Sequence, residues 1–444
     1  MKRKIFLFII AFVMIFSSGC EYQAIKSPME LIKKPKLDSN KDRMKKVVTS
    51  YLERNEKLIV PIKSSGLGAI NIMDIDNDGI DEIISFFKNE QEYKVGVLIL
   101  KDNKDKWKKT YIEGVGRDIA YAQIADITGD GFLELIVSWM GSYELEKEIS
   151  IYDFKDDEQY MLFNNNYSEI VIDDFDGDNI MELFTLNLDR NIQQPKANGQ
   201  LYKYEKGIFN LTDSIDIDPY INGYYNVISG KASIDKKGVF VDVGLGAHSA
   251  ATILLIVEDD RIYDVFDSKS NYNETFKPYG VESKDIDGDG IIEIGNLQAP
   301  SGYESASMAG TPWITNWFKW MGDKELELVR EEYYNYQDGY KFIFPEEWND
   351  KITLEKSSGD ESNWLKLKYI DKKTKRVIPI YKISLWDREE WQDHEVSEDV
   401  VIIEDNIKTY VIEEVWKKGY VPSRVKKVLL SSYEIEESFV LIKK

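Results

Sequence analysis

The sequence predicts an all-β fold for residues 45–335, a propeller of about five four-stranded blades, with a small α+β domain at 336–444. Three observations support this prediction. A short acidic stretch occurs four times, apolar runs of strand length flank the copies, and the unit recurs roughly every 50 residues. A repeat of about that length with four strands per unit is typical of propellers.

The four acidic stretches share one pattern of oxygen-bearing side chains. Each has such a side chain at positions 1, 3 and 5, Gly or Asn at position 6 and Glu at position 9; the copies are 74–82, 126–134, 174–182 and 285–293. Alternate residues of a tight loop point inward, so this spacing directs several oxygens toward one point. Hard cations such as Ca²⁺ bind about six to eight oxygens. The pattern therefore predicts calcium loops.

The EF-hand is the competing interpretation of these loops, because it begins with the same Asp-x-Asp-x-Asp-Gly pattern. It requires a Glu at position 12 and a helix on each side. The flanks here are short apolar runs such as 69–73 and 83–87, which favour strands. Position 12 is not acidic in any copy: it is Ser85, Val137, Thr185 and Asn296. The EF-hand is therefore excluded.

The strand–loop–strand unit resembles the FG-GAP/VCBS repeat, the calcium-loop blade of integrin-type β-propellers, over roughly residues 45–335. The resemblance implies about three to four bound Ca²⁺ ions. The expected metal residues occupy positions 1, 3, 5, 7 and 9 of the loops: Asp74, Asp76, Asp78, Ile80 and Glu82; Asp126, Thr128, Asp130, Phe132 and Glu134; Asp174, Asp176, Asp178, Ile180 and Glu182; Asp285, Asp287, Asp289, Ile291 and Glu293.

Two of the loops depart from the common pattern. Thr128 is a neutral ligand at position 3, so we expect the second loop to bind calcium more weakly than the first and fourth. Asn179 replaces the usual Gly at position 6 of the third loop. Asn tolerates left-handed backbone better than most residues, so the third site is retained in the prediction.

The spacing of the loops predicts a fifth unit that has no acidic loop. The loops start at Asp74, Asp126, Asp174 and Asp285, which gives intervals of 52, 48 and 111 residues. The last interval is about twice the others, so one unit lies near 230–280, with a plain hairpin turn at 235–238. Five units are favoured, and six remain an alternative if residues 45–70 contribute more than one strand.

The first 20 residues have the pattern of an export signal. A basic start, Met1–Lys4, precedes the apolar run Ile5–Phe16, and small residues lead to Cys20. This resembles a bacterial lipoprotein signal, in which the cysteine is lipidated; an ordinary cleaved signal is the alternative. Both place the protein outside the cytoplasm, and the lipid would anchor it to the outer side of the membrane. Because Cys20 is the only cysteine, no disulfide can form within the chain.

Three further segments are assigned from periodicity and composition. Residues 21–44 are predicted to form a tether and the start of a short amphipathic helix over 40–56. Residues 57–62 are predicted to form a strand that helps to close the ring. The C-terminal domain at 336–444 is predicted to contain short strands and a closing helix from Ser423 to about Glu437.

The charge of the chain argues against a nucleic-acid partner. There are 79 acidic and 57 basic residues, which gives a formal net charge of −22. Nucleic-acid binding requires a basic surface. Four bound Ca²⁺ ions would change the charge to −22 + 8 = −14. We therefore expect calcium to stabilise the fold partly by reducing carboxylate repulsion.

Catalytic residues are not expected. The two histidines are His248, which precedes Ser249, and His394. Adjacent residues in a loop do not by themselves form a Ser–His pair, and the chain has no Gly-x-Ser-x-Gly elbow. The acidic residues that stand out are already assigned as metal ligands.

A ligand face is predicted on the loops opposite the acidic ones. These loops are long and rich in aromatic residues and glycine, and binding residues concentrate in loops held by a rigid scaffold. The alternative is that the aromatic side chains pack between blades. The residues predicted to line the face are Trp139, Tyr143, His248, Tyr303 and Trp313.

These observations together predict a non-catalytic, calcium-stabilised binding protein of a bacterial cell envelope, with a protein or glycan ligand and a membrane anchor at Cys20. An enzyme or accessory protein acting on polysaccharide is one alternative. An envelope assembly factor, in which residues 336–444 hold the partner, is another.

Overall fold

The computed structural model describes residues 39–103, 106–141, 147–155, 158–190, 193–323, 325–357, 363–391 and 400–442. The predicted export signal with Cys20, and also Tyr143 and His394, lie outside the described residues. The chain divides after Arg54 into two compact units. The first contains helix α1 (Ser39–Tyr51), close to the predicted helix. Among the described residues, no helix is long and apolar enough to span a membrane.

The second unit is built mainly of β-sheet. Five sheets in its first part are antiparallel apart from one short parallel pair, and each contains at least four strands. They comprise β1 (Lys57–Leu58), β3 (Ile70–Met73), β4 (Glu82–Asn89), β5 (Lys94–Asn103) and β6 (Lys106–Val115); β2 (Lys63–Ser64), β7 (Asp118–Ala125), β8 (Glu134–Met140), β9 (Lys147–Lys155) and β10 (Glu158–Tyr167); β11 (Glu169–Asp173), β12 (Glu182–Asp189), β13 (Lys196–Glu205) and β14 (Ile208–Asp216); β15 (Gly223–Lys231), β16 (Lys237–Leu245), β17 (Ser249–Glu258) and β18 (Arg261–Asp264); β19 (Ile294–Gln298), β20 (Ile314–Trp320), β21 (Leu326–Asn335), β22 (Tyr340–Ile343) and β28 (Phe439–Leu441).

In each of the five sheets, consecutive strands of the chain pair antiparallel. Acidic loops join β3 to β4, β7 to β8 and β11 to β12, and the fourth acidic loop precedes β19, where Lys284 and Glu293 form a β-bridge. The fourth sheet lacks such a loop. Its β15 and β16 are joined by a hairpin turn that closes on the pair Lys231 and Lys237, as the sequence predicts. The loop-bearing units and the plain unit therefore have the same layout.

Successive sheets pack face to face through separate hydrophobic cores. One core joins the first and second sheets, and the next three join the second to the third, the third to the fourth and the fourth to the fifth. Neighbouring residues of one strand belong to different cores: Leu183 packs toward the second sheet and Phe184 toward the fourth. Since side chains alternate along a strand, the middle sheets are covered on both faces. This explains their continuous apolar runs.

The segment after α1 differs from the prediction. Instead of one strand at 57–62, the structure has two strands of two residues each on either side of Pro61. The first, β1, pairs with β4 in the first sheet, and β2 runs parallel to β7 in the second. Proline has no N–H to donate to a ladder, so one continuous strand is interrupted there. The segment connects the first two sheets.

The last part of the chain forms a sixth sheet with short helices. The sheet has the order β23 (Ile352–Lys356), β24 (Trp364–Asp371), β25 (Arg376–Asp387), β27 (Lys408–Glu414) and β26 (Val400–Glu404). Strand β22 follows the predicted boundary at residue 336 but belongs to the fifth sheet, where it pairs with β28. One core contains Ile314 and Tyr333 of the fifth sheet together with Leu367 and Ile412 of the sixth.

The predicted closing helix is interrupted in the structure. Helix α2 (Arg388–Trp391) lies earlier in the chain, and the predicted helix is replaced by α3 (Ser423–Lys426) and α4 (Ser432–Ser438). The capping residue is Ser431, whose side chain accepts a hydrogen bond from the Glu434 backbone N–H while the Glu434 carboxylate accepts one from the Ser431 N–H. This reciprocal capping box starts a new helix at that point, so Ser423 was the wrong cap.

Candidate metal centres and ligand face

The four acidic loops have nearly the same internal geometry. In the first, the Asp74 carboxylate accepts hydrogen bonds from the backbone N–H of Asp78 and Gly79 at 3.1 and 2.8 Å. Asp78 in turn accepts one from the Ile80 N–H at 2.8 Å. Equivalent bonds occur in the other loops. They turn the backbone around the carboxylates, and Asn179 has the left-handed φ of 68° that its position requires.

Three carboxylates in each loop converge closely enough to hold one cation. Their oxygens lie within 4.8 Å of one another, and the groups are Asp74, Asp76 and Asp78; Asp126, Asp130 and Glu134; Asp174, Asp176 and Glu182; Asp285, Asp287 and Asp289. The part of the chain that the structure describes therefore contains four acidic clusters that could bind a metal ion, and all lie in the predicted loops.

Each loop has a buried glutamate at position 9. Glu82, Glu134, Glu182 and Glu293 are buried, with at most 2% of their surface exposed. One carboxylate oxygen of each accepts a hydrogen bond from the backbone N–H of position 2, at 3.0, 2.8, 2.7 and 2.8 Å. The second oxygen of Glu82 and of Glu293 accepts no hydrogen bond within the described residues, whereas that of Glu134 accepts one from the Thr128 hydroxyl at 3.3 Å.

Burial changes the proton affinity of these glutamates. Loss of hydration raises the pKa of Glu82, Glu134 and Glu182 to about 7, and nearby aspartates add to the shift. Burial also raises the pKa of Glu293. The backbone hydrogen bond opposes the shift in every case. A bound divalent cation would favour the ionised form, so occupation of a loop and deprotonation of its glutamate are coupled.

A lysine from the next strand reaches into three of the loops. The three lysines are Lys101, Lys203 and Lys319. Each lies one residue after a strand residue (Leu100, Tyr202 or Phe318) whose cross-strand partner directly follows the glutamate of the loop, so the lysine lies opposite Glu82, Glu182 or Glu293. The Lys101 ammonium lies 2.5 Å from Asp76 and 2.6 Å from Asp78. Lys203 contacts Asp176 at 2.7 Å, and Lys319 contacts Asp287 at 3.0 Å and also Asp289. In these loops an ammonium group already neutralises part of the acidic charge.

The second loop has a different neighbour at the same position. Here Asp153 faces Glu134 across the strands. Lys155, two residues after Asp153, contacts Asp130 at 2.9 Å and Asp153 at 2.8 Å. Asp153 is 4% exposed. The second loop thus gains a carboxylate where the other three have lysine, which offsets the neutral Thr128.

The donor chemistry fits a hard cation. Buried carboxylate oxygens of Asp76, Glu82 and Asp153 accept no hydrogen bond within the described residues. Buried polar atoms are almost always paired, so such oxygens indicate a missing partner. Carboxylate and backbone oxygens are the ligands that Ca²⁺ and Mg²⁺ prefer, and the loops offer no sulfur or imidazole.

The lysines and Asp153 were missed in the sequence analysis. Each lysine directly follows an apolar residue in the second strand after its loop, as in Leu100-Lys101 and Phe318-Lys319. This repeated apolar–Lys pair was visible in the sequence. Its approach to the carboxylates depends on strand register, which the sequence pattern alone did not specify.

The predicted ligand-face residues that the structure describes differ in their surroundings. Trp139 is 4% exposed and lies against Gly114 of the preceding sheet, so it packs between sheets and its assignment to the face was wrong. His248 is exposed in the turn between β16 and β17. Trp313 lines a cavity, and the Tyr303 hydroxyl accepts a hydrogen bond at 3.2 Å from the backbone of Lys356, which lines the same cavity.

The Ser249 hydroxyl does not form a pair with His248. It donates a hydrogen bond to the backbone carbonyl of Leu245 at 2.9 Å, which closes the turn. The adjacent serine and histidine are thus explained by turn geometry.

Comparisons with known proteins identify no family. Neither a scan against family profiles nor a search of curated proteins found a match. Solved structures with some similarity include the exotype rhamnogalacturonan lyase YesX (11% identity, 80% of this chain and 90% of that chain, TM-score 0.32). Others are a Bacillus licheniformis rhamnogalacturonan lyase (11%, 79% and 90%, 0.31) and an exo-β-1,3-galactanase from Phanerochaete chrysosporium (7%, 78% and 82%, 0.27). TM-scores this low carry no argument about fold or activity.

Proposed function

We propose that the chain is a non-catalytic, calcium-stabilised binding protein, exported and lipid-anchored at the outer side of a bacterial envelope, in which the five consecutive sheets are the blades of one propeller. The observation that carries the proposal is the fourfold repetition of a loop with converging carboxylates and a buried glutamate beneath them. A scaffold of this kind holds its other loops rigidly for a ligand.

Face-to-face packing of successive sheets supports the propeller arrangement. Ile83 and Leu98 lie on the face of the first sheet that points away from the second, because their neighbours Ile84 and Val97 belong to the shared core. Both are at most 1% exposed. Burial of this outer face is what a closed ring of blades requires.

Calcium would be held by the loop carboxylates together with backbone oxygen at position 7. When bound, it supplies positive charge that offsets the mutual repulsion of the carboxylates. Lys101, Lys203 and Lys319 already supply part of that charge. In the second loop, Lys155 contacts Asp130 in the same way. Calcium must therefore compete with, or displace, an ammonium group in all four loops.

The test is thermal unfolding of the protein without its first 20 residues, in Ca²⁺ and in EDTA, together with the metal stoichiometry. A ligand that binds only the folded state stabilises it by mass action, by about 2.7 kcal/mol per site at a concentration of 100 Kd. We expect a rise in Tm and about three to four bound ions. Asp78→Asn should lower the stoichiometry by one, and Asp235→Asn, in the plain hairpin, should leave it unchanged. No bound ion and no shift in Tm would refute the proposal.

A further inference from the structure

A cleft opens where the fifth sheet meets the first strand of the sixth sheet. Its volume is about 530 Å³, and a second cavity of about 380 Å³ shares Tyr333 and Lys356 with it. Volumes of this size are typical of small-ligand sites. The shared wall makes the two cavities adjoining compartments, which suits a ligand with more than one ring.

Six aromatic side chains line the larger compartment: Tyr279, Trp313, Trp317, Tyr333, Tyr334 and Tyr336. The rings of Tyr334 and Tyr336 are stacked, with centroids 5.3 Å apart and an angle of 11° between planes. Tyr336 is 72% exposed, so one face of the pair is open to solvent. Tyr279 and Trp313 meet edge to face at 6.1 Å. Flat, open aromatic faces of this kind match the apolar C–H faces of a sugar ring.

A buried carboxylate holds part of this aromatic lining in place. Glu332 is fully buried, and one of its oxygens accepts hydrogen bonds from the indole N–H of Trp317 and, at 2.8 Å, from the Tyr334 hydroxyl. Its other oxygen accepts one from Lys341 at 2.8 Å. The rings are thus oriented before any ligand arrives, which reduces the entropy cost of binding.

Two lysines give the cleft a local positive charge in a chain whose net charge is −22. Lys284 and Lys356 both line it, and neither lies within ion-pair distance of a carboxylate in the described chain. The Lys284 ammonium sits 5.1 Å above the Trp317 ring, and Lys356 donates a hydrogen bond to the backbone carbonyl of Ala309 at 3.3 Å. Glu282 is the acidic residue on the same rim. The lysines can therefore pair with an anionic group of a ligand.

We infer that this cleft binds an acidic oligosaccharide, with a sugar ring stacked on the Tyr336 face and a uronate carboxylate paired with Lys356. The inference rests on the proposed binding function and names its ligand class. A peptide is the less favoured occupant. The lining places open aromatic faces beside two ammonium groups that have no ion-pair partner in the described chain, which matches a sugar ring that carries a carboxylate.

The test is a panel of uronic-acid oligosaccharides, each in native and carboxyl-reduced form, titrated against the purified protein by calorimetry. We expect at least one native member to bind and its carboxyl-reduced partner to bind at least about tenfold more weakly. Tyr336→Ala and Lys356→Met should each weaken the native interaction by about tenfold. Tyr220→Ala and Lys373→Met, also exposed but in other parts of the chain, are the matched controls and should have no effect.

The possible results either support or overturn the inference. Binding that requires the carboxylate and is lost in the Tyr336 and Lys356 variants, but kept in the controls, supports it. Absence of binding across the panel, equal binding of reduced sugars, or binding unaffected by these variants overturns it. Capture of an aromatic or acidic peptide in place of sugars would also overturn it. Calcium stoichiometry, measured on the same samples, shows separately whether the proposed metal-dependent scaffold has failed.

Discussion

Replacement of Lys101 by Met provides a sensitive test of the metal loops, because it removes a competing cation and leaves every loop carboxylate in place. The Lys101 ammonium makes two close ion pairs, with Asp76 at 2.5 Å and Asp78 at 2.6 Å. The Lys101 side chain is 16% exposed. Partly exposed pairs contribute roughly 0.5–1 kcal/mol each, so about 1–2 kcal/mol of lysine–loop interaction must be lost before Ca²⁺ can enter.

Lys101→Met should therefore strengthen calcium binding to the first loop by about tenfold, since 1.4 kcal/mol corresponds to a factor of ten. The same change should destabilise the metal-free protein, because Asp76, Asp78 and Glu82 lose their counter-charge. Calorimetric titration in a background with Asp130→Asn, Asp178→Asn and Asp289→Asn would isolate this loop. Lys88→Met, which removes a 2.9 Å ion pair with Asp118 outside the loops, is the control. Unchanged or weaker calcium binding in the Lys101 variant would refute the competition.

Two further predictions concern pH and packing. The pKa of Glu82 is about 7 in the folded protein against an ordinary 4.5, so the metal-free folded state retains a proton that the unfolded state releases. The free energy of unfolding of the metal-free protein should therefore fall as the pH rises from about 4.5 to 7, by on the order of 3 kcal/mol at most. Urea unfolding in EDTA should show that Glu82→Gln is stabilised relative to wild type more at pH 8 than at pH 5, and an equal difference at both values would contradict this. Gly114→Ala would place a Cβ 2.3 Å from the Trp139 ring and should lower the free energy of unfolding in urea by about 1–3 kcal/mol. Gly68→Ala is the control and should lower it less, because its Cβ would meet no atom nearer than 3.7 Å. Equal losses of stability would refute the packing argument.

Local sequence patterns were sufficient to predict the loops and hairpins. The acidic stretches, the plain turn at 235–238 and the antiparallel pairing of consecutive strands depend on residues close together in the chain. The position of Ser431 was also readable, since Ser431 and Glu434 form the pattern of a capping box. The apolar residues that follow Ser423 favoured one continuous helix from that residue, so the boundary at Ser431 was not recognised.

Features that depend on distant residues were not predictable in the same way. Whether Trp139 faces solvent or a neighbouring sheet depends on Gly114, whose missing side chain leaves the space that the indole fills. The approach of Lys203 to Asp176 depends on register between β12 and β13. The cleft combines residues from the fifth sheet with Lys356 of the sixth. None of these contacts produces a periodic pattern in the sequence.

The pairing of β22 with β28 has a consequence for the order in which the protein matures. The whole sixth sheet lies between these two strands in sequence, so β22 remains an open sheet edge until residues 439–441 have been synthesised. The third and fourth sheets contain only strands that are close in the chain and can form as they emerge. An open edge can pair with other chains. The fifth sheet, and the aromatic cleft built on it, should thus be the last region to assemble and the one most exposed to misassociation during folding.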